Sequence, residues 1–293
     1  MNRRLRSLAR LVRLPAALTV LGDGLTGAAA TGRSRDPRVL ALPLSSVCLY
    51  WAGMALNDYA DRDLDAVERP ERPIPSGEVA PGEALAVACG LTAAGVGVAA
   101  LSGGRRAALV ASALAATVWT YDLVLKPTPW APLGMAAARG LDVLLGAGDR
   151  TADAARPALA MAVHTLGVTA LSRGEVHGTR PEVAAGSLAC TLLSTAVAAL
   201  PPAKGHDASR GTVEGLGAAL FAGVYAVSVG SAQGRALVDP TAGRAREATG
   251  TGIRGMIPLQ AALLARYGAP RTACALAVAA PLAARAARTA VVT

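Results

Sequence analysis

Aromatic residues make up only 3% of the 293-residue chain, with a single phenylalanine, and charged residues only 17%. Charge this sparse, beside 53% hydrophobic residues and a mean hydropathy of +0.40, falls outside the range of water-soluble domains and makes a bilayer the expected solvent. Cysteine is scarce too. Cys48, Cys89, Cys190 and Cys274 each stand alone inside apolar segments, which excludes a disulfide framework and a metal knuckle and leaves them as small core residues. No phosphate-binding glycine loop, zinc spacing or Ser/His/Asp arrangement can be assembled. Ten-residue alternating patterns are also lacking, so a membrane β-barrel is excluded and only helices can satisfy the backbone in lipid.

What is present is a series of apolar runs. They lie near Leu11 to Ala30, Val39 to Leu56, Gly82 to Leu101, Ala107 to Leu125, Ala131 to Ala147, Ala158 to Leu171, Val183 to Leu200 and Gly215 to Ala232. A final pair of shorter stretches, Gly255 to Tyr267 and Thr272 to Ala284, reads as a hairpin. The expected fold is all-α: one integral-membrane domain over residues 1–293, a multi-pass bundle of about nine helices around a central cavity. The polar stretch Ser231 to Gly255 reads as a connector, either a lid over the cavity or a plain linker.

The basic start, with Arg3, Arg4, Arg6, Arg10 and Arg13, leads into the first span and does not resemble a cleaved leader. If that start is cytoplasmic, alternating spans place more of the basic residues on its side, as the positive-inside rule requires. The net charge of +9 then matches anionic headgroups rather than nucleic acid. The expected location is the plasma or inner membrane, with the functional face cytoplasmic.

The run "ALNDYADRDLDAVERPERPIPSG", Ala55 to Gly77, sets four aspartates and three arginines at the end of the second apolar segment. If the helix continues past Leu56, Asn57, Asp61 and Asp65 recur every four residues and Asp58 precedes Asp61 by three, so the oxygen ligands share one face. Such carboxylates repel one another unless a cation lies between them. Hard oxygen donors with one amide suit Mg²⁺, whose shell is usually completed by substrate phosphates. Arginines facing that site supply the fork a diphosphate needs. The competing reading is a solvated loop whose acids balance Arg62, Arg69 and Arg72; ionisable groups close to membrane depth weigh against it. The two prolines and the glycine of "RPIPSG" end the helix and turn the chain.

"NDYADRDLD" followed by "RPIPSG" resembles the first aspartate-rich motif of the UbiA superfamily of intramembrane prenyltransferases, NDxxDxxxD followed shortly by RPIPSG. The expected helix number is similar as well. The resemblance implies Mg²⁺ as cofactor and a prenyl diphosphate as substrate, with Asn57, Asp61 and Asp65, joined by Asp58, at the metal and Arg72 at the phosphate. "YDLVLKP", Tyr121 to Pro127, carries Lys126, one of only two lysines in the chain, and is similar to the family's Y-x-x-x-x-K element, whose lysine touches the diphosphate. "LVRLP", Leu11 to Pro15, resembles the family's first-helix start and offers Arg13 either to the phosphates or as a topogenic charge.

The family's second aspartate-rich motif is not there. In its place stands "LSRGEVHGTRPE", Leu171 to Glu182, where Glu175 is the carboxylate at a plausible register for metal. His177 is either a hydrogen-bonding partner of phosphate, a base or an ordinary loop histidine. In "ARGLDVLLG" Arg139 and Asp142 stand three apart on one apolar helix face, so mutual pairing is expected, toward the cavity. Asp23 is a weaker cavity candidate, and His164 an interhelical hydrogen-bonding residue.

The expected activity is Mg²⁺-dependent prenyl transfer from a prenyl diphosphate to an acceptor within the bilayer. Asp61, Asp65, Lys126, Glu175 and His177 form the catalytic set. Acceptors other than aromatic rings, such as an alcohol, sugar or cyclitol, would call on Arg139, Asp142, Glu175 and His177. The alternative is a non-catalytic isoprenoid-diphosphate binder or transporter.

Overall fold

The computed structural model describes residues 3–13, 18–33, 36–201 and 212–279. Among the described residues the chain is helical throughout, with no strand. The helices are α1 (Arg3–Leu11), α2 (Leu18–Ala30), α3 (Pro37–Ala60), α4 (Arg62–Glu68), α5 (Pro81–Thr120), α6 (Ala131–Gly146), α7 (Ala155–Ser172), α8 (Pro181–Ala199), α9 (Thr212–Val238) and α10 (Ala242–Arg266), then α11 over 270–279. Four helical stretches are long and apolar enough on their own to cross a membrane: Pro37–Ala60, Pro81–Leu125, Pro181–Ala199 and Gly215–Val238. Leucines and valines such as Leu101, Leu216 and Val227 point outward.

Pro81–Leu125 runs 45 residues, about 67 Å at 1.5 Å per residue, which is twice the hydrocarbon thickness. It resolves into two limbs at Gly104, whose φ of 70° and ψ of −163° suit glycine alone. Both limbs pack on α3. Leu49 meets the backbone at Gly95 in the first limb, and Gly53 faces Val118 in the second. The two expected segments on either side of residue 104 are thus two spans. Counted that way, α2, α3, the limbs of α5 and α6 to α10 make nine bundle helices among the described residues.

Helices adjacent in sequence pack together, and α10 lies against α2, closing the ring. The closest approach is between α2 and α6. A Cβ at Gly27 would lie 2.0 Å from the Val143 carbonyl oxygen, and one at Gly146 would lie 2.1 Å from that of Gly24. Small residues do this throughout a core built largely of alanine, because helices in lipid associate through close backbone packing. Asp36 caps α3, accepting from the Arg38 backbone N–H and the Arg33 guanidinium, each at 2.9 Å. The Arg33 hydrogen bond is the main reason its carboxyl lies below the usual aspartate range.

Two expectations need correction. The basic N-terminus forms its own helix, α1, before α2 begins at Leu18. The polar Ser231–Gly255 stretch is not a connector: it completes α9 and opens α10, with Asp239, Pro240 and Thr241 between them. Alanine and arginine are strong helix formers, and Arg244 pairs with Glu247 three residues on, so polarity there marks helix ends rather than a loop. Lys204 and residues 280–284 of the last apolar stretch lie outside the described residues.

Gly146→Leu should destabilise the detergent-solubilised protein by about 1–3 kcal/mol through overpacking at the α2–α6 crossing, read as a lowered thermal midpoint. Gly90→Ala, where a Cβ meets nothing within 4 Å, should leave the midpoint unchanged or raise it.

Candidate active site

The aspartate-rich segment is helical almost without interruption. Asp61 joins α3 to α4, and the Asp61 and Asp65 N–H groups donate to the Asn57 and Asp61 carbonyls at 2.9 and 2.8 Å. Asn57, Asp61 and Asp65 therefore keep the expected four-residue spacing, and the chain's own cations separate their charges. Arg72 Nη1 donates to Asp65 Oδ2 at 2.5 Å and to Asp58 Oδ1 at 3.3 Å, and Arg13 Nη2 reaches Asp58 Oδ1 at 3.0 Å. Arg72 thus bridges two buried carboxylates. The turn that aims it follows from its sequence: Pro73 and Pro75 stop the helix, Gly77 takes φ 76°, and Ile74 is buried with Leu11, Leu56 and Val79. Helix α1 covers this turn. Arg10 pairs with Glu78 at 3.0 Å and donates to the Glu71 carbonyl, and Arg4 pairs with Glu83. Arg13 sits just past α1 at φ 49°, a left-handed conformation unusual for a side-chain-bearing residue.

The end of α5 supplies the opposite wall. Tyr121–Leu125 forms one π-helical turn, closed by the Lys126 N–H donating to the Tyr121 carbonyl at 2.9 Å. Asp122 and Lys126, four residues apart, then face Asn57 and Asp61, also four apart. Asn57 Nδ2 donates to Asp122 Oδ1 at 3.3 Å, and Lys126 Nζ contacts Asp61 Oδ2. Both pairs are separated by 65 residues, so α3 and the second limb of α5 run parallel in matched register. Asp122 was not expected from the sequence. Its signal is its place four residues before Lys126, matching the Asn57–Asp61 spacing.

Glu175 and His177 lie in the turn after α7. Arg173 Nη1 donates to the Thr128 carbonyl at 2.7 Å, which puts this turn at the same end of the bundle as Lys126. Glu175 is half-buried and His177 exposed, and neither makes an ion pair among the described residues.

Beneath the charged pairs lies a cavity of ≈ 260 Å³. Three helical stripes line it: Ser46, Leu49, Tyr50, Gly53, Met54 and Asn57 from α3; Leu114, Val118, Tyr121 and Asp122 from α5 and its π turn; Met135, Ala138, Arg139 and Asp142 from α6. Arg13 and Val20 complete the lining. The walls are mostly apolar and the two ends are polar. At the inner end Arg139 Nη1 donates to the fully buried Asp23 Oδ2 at 2.6 Å, and Gln260 Nε2 donates to Asp23 Oδ1 at 2.7 Å. The expected Arg139–Asp142 pairing is replaced by this bond across the α2–α6 crossing, where a carboxylate from the neighbouring helix is closer than one a turn away. Asp142 Oδ1 and Ser46 Oγ are buried without a hydrogen-bond partner among the described residues. His164 is satisfied between helices, with Nδ1 on the Tyr225 hydroxyl at 2.8 Å and Nε2 on the Gly252 carbonyl at 3.1 Å.

The donor set fits a hard divalent cation. Asn57, Asp61 and Asp122 offer only oxygen ligands at a polar mouth, with Asp58 and Asp65 held one layer behind by arginine. Among the described residues no three histidine, cysteine or acidic side chains form a ready metal-binding group.

Arg139→Met strands the Asp23 carboxylate in the bundle interior, and breaking a buried pair this way costs about 3–5 kcal/mol. The thermal midpoint in detergent should fall sharply, and Asp23→Asn in the same chain should restore part of it.

Comparison with known proteins follows the same lines. The chain is 36% identical over 113 residues to digeranylgeranylglyceryl phosphate synthase of Methanopyrus kandleri, a stretch covering 39% of this chain and 41% of that one. The chain spans less than half the length of these curated relatives. Among solved structures, a digeranylgeranylglyceryl phosphate synthase studied in membranes superposes with a TM-score of 0.70 at 17% identity, over 92% of this chain and all of that one. A UbiA homologue from Archaeoglobus fulgidus bound to GPP and Mg²⁺ gives 0.55 at 13% identity, over 85% and 99%. These likenesses establish the fold. Residues 17–173, more than half the chain, match the profile of the UbiA prenyltransferase family, and with the NDxxDxxxD segment, its RPIPSG turn and the facing lysine they make this chain a member of that family.

Proposed function

We propose that the protein is an intramembrane prenyltransferase, moving a prenyl group from a prenyl diphosphate to an acceptor in a Mg²⁺-dependent reaction. The observation that carries this reading is the pair of matched contacts, Asn57 with Asp122 and Asp61 with Lys126, standing over an apolar cavity. The GPP and Mg²⁺ in the Archaeoglobus fulgidus structure support it.

Asn57, Asp61 and Asp122, with Glu175 as a further candidate ligand, would hold Mg²⁺, which would neutralise the diphosphate. The remaining steps belong to the chain's own groups. Lys126 is placed to exchange Asp61 for a diphosphate oxygen, adding fixed positive charge where negative charge grows on the leaving group. Arg72 and Arg13 bind Asp58 and Asp65 and orient the segment. His177, exposed at the same end of the bundle, is a candidate hydrogen-bond donor to the diphosphate. The bond between the allylic carbon and the diphosphate oxygen breaks with its electron pair going to diphosphate. The acceptor's electron pair forms the new bond, and the acceptor proton leaves with the released diphosphate. Apolar walls keep water from the allylic centre, and the bundle gives lipophilic substrates access from the bilayer. The excess of basic residues on the N-terminal side supports a cytoplasmic site.

Geranyl diphosphate turnover by the purified protein, followed as diphosphate release, tests the reading. Chelation with EDTA should abolish release, and Mg²⁺ should restore it. Asp61→Ala should lower the rate by about 10²-fold or more, in the range for loss of a preorganised charge-stabilising group. Lys126→Ala should mainly raise the donor KM, about tenfold. Arg105→Ala, an exposed position beside the Gly104 break, should change neither. Tight binding of geranyl diphosphate with no Mg²⁺-dependent release would instead favour the non-catalytic binder.

A further inference from the structure

The inner end of the cavity is polar in a way that the transfer chemistry at its mouth does not require. Ser46 and Asn57 line it from the same helix, eleven residues apart, so they lie about 16 Å apart along the axis. At the Ser46 level one guanidinium serves two carboxylates. Arg139 is bonded to Asp23, whose other oxygen is taken by Gln260. Asp142 Oδ1 and the Ser46 hydroxyl, in residues 5% and 1% exposed, make no well-formed hydrogen bond, although Ser46, Asp142 and Asp23 stand close enough to interact. Both residues line the cavity.

From these observations we infer that the inner end of the cavity is the acceptor subsite, and that it takes a small neutral hydroxylated molecule while refusing carboxylates and phosphates. This rests on the prenyltransferase reading and names its acceptor class. Two buried, unpartnered oxygens call for a ligand bearing hydrogen-bond donors, since burying them against anything else forfeits their hydration without return. A hydroxyl can donate to Asp142 and accept from Ser46. A prenyl tail can do neither, so it leaves the mouth sideways between helices instead of descending to Asp142. An anion is disfavoured, because the positive charge of Arg139 is already answered by Asp23.

Seated there, such an acceptor presents a hydroxyl on its far edge toward Tyr50 and the mouth. That oxygen's lone pair forms the ether bond to the allylic carbon as the carbon–oxygen bond to diphosphate breaks, its electrons leaving with diphosphate. The hydroxyl proton passes to a diphosphate oxygen.

The full-length protein in nanodiscs, with Mg²⁺ and radiolabelled geranyl diphosphate, is offered myo-inositol, 4-hydroxybenzoate or glycerol 1-phosphate at equal concentration. Geranylated inositol should form, with at least tenfold less product from either anion. Asp142→Asn, close in shape to the original, should raise the inositol KM about tenfold and leave the donor KM within twofold. Ser46→Ala should shift it in the same direction by less. The inference is overturned if an anion is geranylated as well as inositol, or if the donor is consumed with no inositol product. A change in donor KM in place of inositol KM in Asp142→Asn would overturn it too, by putting the prenyl chain at the inner end. Absence of Mg²⁺-dependent diphosphate release in the unsubstituted protein would sink the prenyltransferase reading first, and this inference with it.

Discussion

Carboxylates one helical turn apart at the edge of an apolar bundle cannot stay ionised together unless positive charge stands between them. Much of the architecture around Asn57 to Asp65 answers that constraint. Arg72 is returned to Asp58 and Asp65 by a turn whose prolines forbid helix and whose isoleucine is pinned in the core. Arg13 reaches Asp58 from a left-handed backbone conformation at the end of α1. Lys126 meets Asp61 because a π-helical turn sets the register of the helix end. The local RPIPSG turn and two elements distant in sequence thus converge on one short segment, organised around charge balance.

The second polar centre obeys the same physics with less water at hand. Asp23, Arg139 and Gln260 join α2, α6 and α10, the helices that close the ring. Their bonds lie beside the crossing at Gly27 and Gly146, where the backbones nearly touch. Close packing and the ion pair reinforce each other, since moving one helix would both open a void and strand a charge.

The parts of this arrangement that are local were legible in the sequence. The four-residue spacing of Asn57, Asp61 and Asp65, the turn at RPIPSG and most span positions depend on neighbours a few residues away, and periodicity reports such neighbours directly. Partners across the bundle were not legible. Arg139 stood out, but its carboxylate comes from a helix 116 residues earlier, not from Asp142 on its own face. Asp122 went unremarked because its meaning depends on a π turn and on Asn57, 65 residues back. Ser231–Gly255 misled for a different reason: hydropathy marks where lipid ends, whereas helices continue for as long as their backbones favour it.

Gly104 carries a consequence for assembly in the membrane. Its backbone conformation joins two limbs that each need the other, and Arg105 and Arg106 follow at once. Each of these charges would cost about 2.5–3.5 kcal/mol at the bilayer centre, which favours the bend at a membrane surface. The length of the returning limb then sets how deep Asp122 and Lys126 come to rest beside α3. The register of Asp122 and Lys126 against α3 is in that sense measured by counting residues from a single glycine.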